Sequence, residues 1–293
     1  MELFGFLLVS LQSEPNCSLY IVAMDKKKVL IITQELDPYL AITEAAKIAN
    51  ELPKHMLESG AEIRVLMPKF GVINERRHKL HEVVRLSGIN VIVNDEDYPL
   101  IIKVASLPGA RLQVYFLDNE DFFKRKFVFE DENNQFYEDN SDRMVFFCKG
   151  ALETVRKFGW PPDIIHCFGW MTSLVPLYLK TTYKDDPVFA QSKVVFSAME
   201  SNLKHKLASN FSTLLQISNE ITKKHVDLFR DGDSSSLLLG GIEFADAIIM
   251  SDLVDEKVSK QLKKLKDKPV MKLNQTETPV EMFSAFYQNV LAN

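Results

Sequence analysis

Short β-branched runs alternate with stretches of helical periodicity along this chain. Val29–Thr33 is a continuous apolar run of strand length. Ile42, Ala45, Ala49, Leu52 and Met56 then recur at helical spacing, and Gly60 offers a stop. Pro53, inside that pattern, is expected to kink the helix or start a new turn. Glu62–Met67, closed by Pro68, reads as the next strand. Strand, helix, strand in this order favours a parallel sheet with a right-handed crossover.

From Leu80 to Leu117 strand patterns dominate: Val83–Leu86, Asn90–Val93, Leu100–Ala105 and Leu112–Leu117. Their short connections carry Gly88, Pro99 and Pro108-Gly109, so hairpins are expected to be grafted onto the parallel sheet. Asp118–Asp142 is acidic and aromatic without periodicity, and reads as a long surface loop of the kind that carries function. The rhythm then returns: helix over Met144–Phe158, strand over Ile164–Cys167, helix over Met171–Leu179, strand over Lys193–Ser197. Helical segments are expected over Leu203–Phe229 and Ser236–Ala245, a last strand over Ala247–Met250, and closing helices over Val254–Leu265 and Val280–Leu291. The expected fold is α/β, a single doubly wound, Rossmann-like parallel sheet with an inserted β-hairpin region. Ligands on such sheets sit at the C-terminal ends of the strands. Glu35 to Tyr39, Pro68 to Gly71, Asp118 to Asp121, His166 to Thr172 and Ser251-Asp252 are therefore the candidate ligand segments.

Composition narrows the function. The 293 residues carry 35 Lys plus Arg against 40 Asp plus Glu, a net charge of −5. That balance disfavours a nucleic-acid partner, which needs clustered excess cations. Residues 1–24 read as an N-terminal extension, and Met24, before Asp25-Lys26-Lys27-Lys28 and the first strand, is a candidate true start; an arm packed on the domain is the alternative. Phe4–Leu11 is too short to span a bilayer and lacks a basic flank, so a cytoplasmic protein without membrane partners is expected. Cys17, Cys148 and Cys167 have no metal-ligand spacing and read as free thiols.

Only 11 glycines are present, leaving little material for a phosphate loop, and no Walker, Gly-x-Gly-x-x-Gly or Gly-x-Ser-x-Gly motif occurs. Gly240-Gly241 is expected to permit close backbone packing. His78 and His81, flanked by Glu75 and Glu82, would share a face if helical, and read as surface. No metal and no cofactor is expected. The loop from Asp118 to Arg143 mixes carboxylates, amides and aromatics, a set that suits sugar hydroxyls, with a plain solvated acidic loop as the alternative. His166-Cys167-Phe168-Gly169-Trp170 leaves a strand and enters a helix. A strand-end His beside an exposed Trp offers a ligand edge; a His satisfied by the backbone is the alternative.

Several stretches together resemble the bacterial glycogen synthase and plant starch synthase family: Glu35-x-x-Pro38, Val114–Asn119, Asp131-Glu132-Asn133, Tyr137–Asn140 with Arg143, Pro162–Lys180 with His166, Trp170 and Thr172, and Gly241-Ile242 with Ala245-Asp246 and Ser251. The resemblance covers about residues 26 to 252. It implies a retaining glycosyltransferase of GT-B type that moves glucose from ADP-glucose or UDP-glucose to an α-1,4-glucan. Residues 25–293 would then be one half of that fold, the N-terminal, acceptor-side domain. With about 40 residues after Ser251, the second GT-B domain is expected to be absent, and a protein partner could supply it. The implied sugar-side residues are Glu35, Asp118, Asn140, Arg143, His166, Trp170 and Thr172. An α-glucan or malto-oligosaccharide, with ADP-glucose, would be the ligand.

The chain departs from the family where chemistry is done. Ala41-Ile42-Thr43-Glu44-Ala45 stands where the family has Lys-x-Gly-Gly-Leu, and Lys47 where it has Asp. Phe168, Gly169 and Met171 replace two histidines and an aspartate, and Ser197–Glu200 replaces Thr-Ile-His-Asn. Three readings therefore stand side by side: a glucan synthase, a glucan-binding module without turnover, and a subunit whose cleft face docks another protein.

Overall fold

The computed structural model describes residues 24, 26–199, 201, 203–251, 254–263, 265, 267–273 and 280–292. In chain order the elements are β1 (Lys28–Thr33), α1 (Ala45–Glu58), β2 (Glu62–Pro68), α2 (Glu75–His78), β3 (His81–Glu82), β4 (Ile89–Val93), β5 (Glu96–Ser106) and β6 (Gln113–Asp118). Then come α3 (Glu120–Phe123), α4 (Asn140–Phe158), β7 (Ile164–Phe168), α5 (Leu174–Lys180), β8 (Lys193–Ala198), α6 (Phe211–Leu214), α7 (Lys223–Asp227) and α8 (Ser234–Phe244). β9 (Ala247–Ser251), α9 (Glu256–Leu262), β10 (Val270–Leu273) and α10 (Glu281–Ala292) follow.

The strands lie in the order β10-β9-β8-β7-β1-β2-β6-β5-β3, with β4 paired to β5. From β10 to β6 every pairing is parallel, and β5 runs antiparallel to β6, β3 and β4. This is the expected doubly wound sheet with its grafted hairpins. The central strands are buried on both sides, as Val29 to Ile32 and Ile164 to Phe168 are, so they read as continuous apolar runs rather than alternations. From β1 the chain steps to β2 in one direction and later to β7 in the other. The ends of β1 and β7 therefore form the topological switch point, where such sheets hold ligands.

Helix α1 runs unbroken through Pro53; the ring is buried with Ala49, Leu52 and Met56, and that burial offsets the lost backbone bond. The Gly240-Gly241 pair does permit close approach: a Cβ at Gly240 would overlap the Phe229 ring, and one at Gly241 would lie 2.6 Å from the Phe196 ring.

Four local expectations are corrected. Val83–Leu86 is not a strand: the chain pairs at His81-Glu82 and then turns, with Leu86 N–H bonding Val83 O. Leu203–Phe229 holds only the short α6 and α7, because turns at Ser209-Asn210 and Ser218-Asn219 interrupt it. His78 ends α2 and His81 lies in β3, so they share no helix face. Strand β10, flanked by charged and proline residues, is an additional edge strand that the pattern did not disclose. Residues 1–23, with Cys17, and Glu200 and Asp252 lie outside the described residues.

Candidate functional site

The loop that leaves β1 is organised by one carboxylate. Glu35, 1% exposed, accepts the backbone N–H groups of Ile42 (2.6 Å) and Thr43 (2.7 Å) on Oε2. Its Oε1 accepts the Thr43 hydroxyl at 2.9 Å and the Gln34 amide at 3.3 Å. The two amides at the head of the Ala41–Ala45 stretch are thus bound to an anion of the chain itself. Glu44 turns outward and pairs with Lys47 at 2.8 Å, so two positions at which the chain departs from the family bond to each other. The partnership raises the Lys47 pKa.

At the facing tip of β7 the chain turns inward. Gly169 has φ +83°, and a Cβ there would meet the Gln34 side chain at 2.5 Å, so both the conformation and the space require glycine. Gln34 Oε1 accepts the Met171 N–H at 3.3 Å and joins the two strand ends. Thr172 donates its hydroxyl to Gly169 O at 2.8 Å. Trp170 is 1% exposed, with its ring centroid 5.0 Å from that of Phe129. The expectation of an exposed Trp170 is therefore corrected: Phe129, from the acidic loop, folds over it.

His166 lies in the body of β7 and is fully buried. Its Nδ1 is 2.5 Å from the Tyr287 hydroxyl on α10, and its Nε2 is 2.7 Å from the Ser197 hydroxyl on β8. Burial pushes its pKa well below the ordinary histidine value, so the ring is a neutral bridge between sheet and closing helix. The ligand-edge reading of His166 is therefore corrected, and so is the alternative of a histidine satisfied by the backbone: two side-chain hydroxyls hold the ring.

Asp118 ends β6 in a chain of charges. It accepts from Lys103 at 2.8 Å; Lys103 also reaches Glu75 at 2.8 Å, and Glu75 reaches Lys69 at 2.6 Å. Partial burial pushes the Glu75 carboxyl up, but the bonds from Lys103 and Lys69 outweigh it and its pKa is lowered. Asn119, one step on, caps α3 by accepting the N–H groups of Asp121 and Phe122, a role that Asn before an acidic turn could have signalled.

Asn140 and Arg143, in the first turn of α4, act as one strut. Asn140 donates to Phe129 O at 2.9 Å and accepts from Arg143 Nη1 at 2.5 Å; the same nitrogen donates to Val128 O at 2.7 Å. The Arg143 guanidinium is buried among Phe70, Phe123 and Tyr137, 5.4 to 5.6 Å from their ring centres. Burial lowers its pKa to about 9. Arg125 and Asp139 close the base of the loop with paired bonds of 2.7 and 2.5 Å.

Held in this way, the loop walls a groove of about 460 Å³ whose other sides are Ile42 and Leu203-Lys204. Phe127 is exposed at its rim. Phe136 stacks on His205 at 5.3 Å between ring centres, and His205 lies 3.7 Å from Glu130. Asp131 accepts the N–H groups of Asn133 and Gln135 and sets the tip of the hoop. The groove presents aromatic faces and the carboxylates of Glu130, Asp131 and Glu132 at the C-terminal end of the sheet.

None of the seven implied sugar-side residues lines the groove itself. Glu35 touches its lining through Ile42, and Asn140, Arg143 and Trp170 touch it through Val128 and Phe129; Thr172 bonds back to Gly169, Asp118 sits in its own ion network and His166 lies within the core. Sequence reasoning located the loop but missed Phe127, Phe136 and Lys204 as lining residues; Lys204 joins from after β8, with no local signal. Among the described residues no group of His, Cys, Asp or Glu is placed to hold a metal ion, and no helix is long and apolar enough to cross a membrane. Cys148 and Cys167 are buried free thiols.

Comparison with known proteins gives the same outline. The family model described as "Starch synthase catalytic domain" matches residues 28–265. A glycogen synthase of Chlorobium limicola is 37% identical over 224 residues, covering 75% of this chain and 45% of that protein. One from Chlorobium chlorochromatii is 42% identical over 171 residues, covering 58% and 35%. The chain therefore spans about half the length of the relatives it matches. Among solved structures, the catalytic domain of starch synthase IV from Arabidopsis thaliana, bound to ADP and acarbose, superposes with a TM-score of 0.67 at 17% identity, over 85% of this chain and 52% of that one. At that identity the match speaks for the fold.

Proposed function

From the premise that this chain belongs to the starch synthase catalytic domain family, which includes the glycogen synthases, we propose that it serves glucosyl transfer to an α-1,4-glucan by holding the acceptor in the groove beside α4. The reaction class is that of the family: the glucan's terminal hydroxyl replaces the nucleoside diphosphate at C1 of the incoming glucose, with retention. ADP-glucose or UDP-glucose is the donor. The observation that carries the reading is the groove itself, in which aromatic rings and carboxylates converge at the sheet end where α/β folds bind ligands. Sugar rings stack their C–H faces on aromatics, and their hydroxyls donate to carboxylates.

In this reading Asn140 and Arg143 hold the wall, Trp170 supports it from below, and Glu35 and Thr172 fix the strand ends that frame the site. Asp118 and His166 position their surroundings through Lys103 and through Tyr287. Positioning of this kind is a large share of what a transferase does. In this reading the second GT-B half comes from a protein partner, and no metal or other cofactor takes part.

One observation favours a second reading, glucan binding without turnover. The amides of Ile42 and Thr43, at the family's phosphate-approaching loop, are already bound to the Glu35 carboxylate. Incorporation of labelled glucose from ADP-glucose into glycogen by the purified chain tests the two. Transfer that scales with protein supports the synthase; saturable malto-oligosaccharide binding with no transfer from either donor supports the binding module. Absence of both removes the proposal.

A further inference from the structure

A second concavity, of about 420 Å³, opens at the other end of the sheet, where β2 and β6 begin. Arg64, Arg111, Gln113 and Tyr115 supply polar walls, and Leu57 and Ile63 part of an apolar one. Among the described residues no carboxylate lines it, in a chain whose net charge is −5.

Arg64 is the informative residue. Its guanidinium lies over Phe158 at 4.2 Å and Trp160 at 4.7 Å from the ring centres. Stacking uses the faces of the planar cation and leaves its in-plane N–H fork to bind something else. Glu62, nearby on β2, is engaged by the Trp160 indole N–H at 3.0 Å. Arg64 Nη1 is buried and has no hydrogen-bond partner among the described residues. That nitrogen is closed off from the concavity and would have to turn outward to donate to a ligand there, so the rest of the guanidinium carries the argument. Burial lowers the Arg64 pKa; Tyr115 and Glu62 act against this, and Arg85 contributes a like charge. Tyr115 donates its hydroxyl to Gln113 Oε1 at 3.4 Å, which leaves the Gln113 NH₂ group as a further donor.

We propose that this pocket binds a small organic phosphate ester, at a site separate from the glucan groove. Two guanidinium groups and an amide offer more donors than a carboxylate's two oxygens can accept, and they match the three terminal oxygens of a phosphate monoester. The volume lies in the range of small-molecule sites, and the Leu57-Ile63 wall fits the organic body.

Calorimetric titration of the full chain with phenyl phosphate, inorganic phosphate and benzoate tests this. Phenyl phosphate is expected to saturate one site, with inorganic phosphate and benzoate each weaker. Arg111→Ala, on an exposed turn, should weaken phenyl phosphate by at least about tenfold, and Arg64→Met, which keeps an unbranched side chain and removes the guanidinium, by at least as much. Circular dichroism confirms that both variants fold. Absence of saturable phosphate heat, equal affinity for benzoate, tighter binding of inorganic phosphate than of the ester, or full affinity in the Arg111 variant would each overturn the assignment. Malto-oligosaccharide affinity should be unchanged in Arg111→Ala, which separates this site's failure from that of the glucan reading.

Discussion

Replacing Asn140 by alanine removes one of the two links between the groove wall and the first turn of α4. The side chain makes two bonds in a fully buried setting: donation to Phe129 O at 2.9 Å and acceptance from Arg143 at 2.5 Å. A neutral bond of this kind contributes about 1 kcal/mol and one to a charged group about 1.5–3, so Asn140→Ala should cost about 2.5–4 kcal/mol of stability. Arg143 retains Val128 O, so the wall should loosen without detaching. Urea unfolding measures the first effect, and amide hydrogen exchange over residues 126–137 measures the second. The expected result is a lowered midpoint together with faster exchange in that segment and unchanged exchange in β1 and β7. A loss below about 0.5 kcal/mol, within the range of an ordinary surface change, would refute the strut. So would a full loss with the loop's exchange unaltered.

Other outcomes follow from the same geometry. His166 has a folded pKa well below its unfolded value, so the unfolded chain binds the extra proton. Stability should therefore fall as pH drops below about 6.5, by up to about 1.4 kcal/mol per unit, and His166→Gln should flatten that slope in a pH series of unfolding curves. Glu75 has a lowered folded pKa, so its contribution is present above about 4.3 and is lost as pH falls further. Because its side chain is 38% exposed, Glu75→Gln should remove no more than about 1 kcal/mol at neutral pH, read by the same curves. Gly240→Ala places a methyl against the Phe229 ring and should lower stability by about 1–3 kcal/mol in urea; a neutral result would mean that α8 and the Phe229 turn are not in contact.

The parallel sheet with its grafted hairpins was legible because buried strands are contiguous apolar runs and helices carry a different period; the order of the strands was not. Gly240-Gly241 was legible as packing for the same local reason. The loop after β6 could be found by its length and polarity, but not its shape. Its shape depends on Asn140 and Arg143 reaching back to the carbonyls of residues 128 and 129, and on Phe129 covering Trp170. Those contacts are non-local, so Trp170 reads as exposed from its neighbours alone. His166 is similar: what decides its role is Tyr287, which arrives with the last helix. The strand pattern placed Glu35 at a strand end, and the family resemblance gave it a sugar-side role; only the fold shows its carboxylate bound to the loop's own amides.

The direct test of the central claim is a calorimetric titration of maltoheptaose into the full chain and into Phe136→Ala. The account predicts a saturable single site in the unaltered protein and a loss of at least about fivefold in affinity on removing the ring, the worth of one aromatic face at about 1 kcal/mol. No saturable heat with the unaltered chain, or equal affinity in the Phe136 variant, would contradict it.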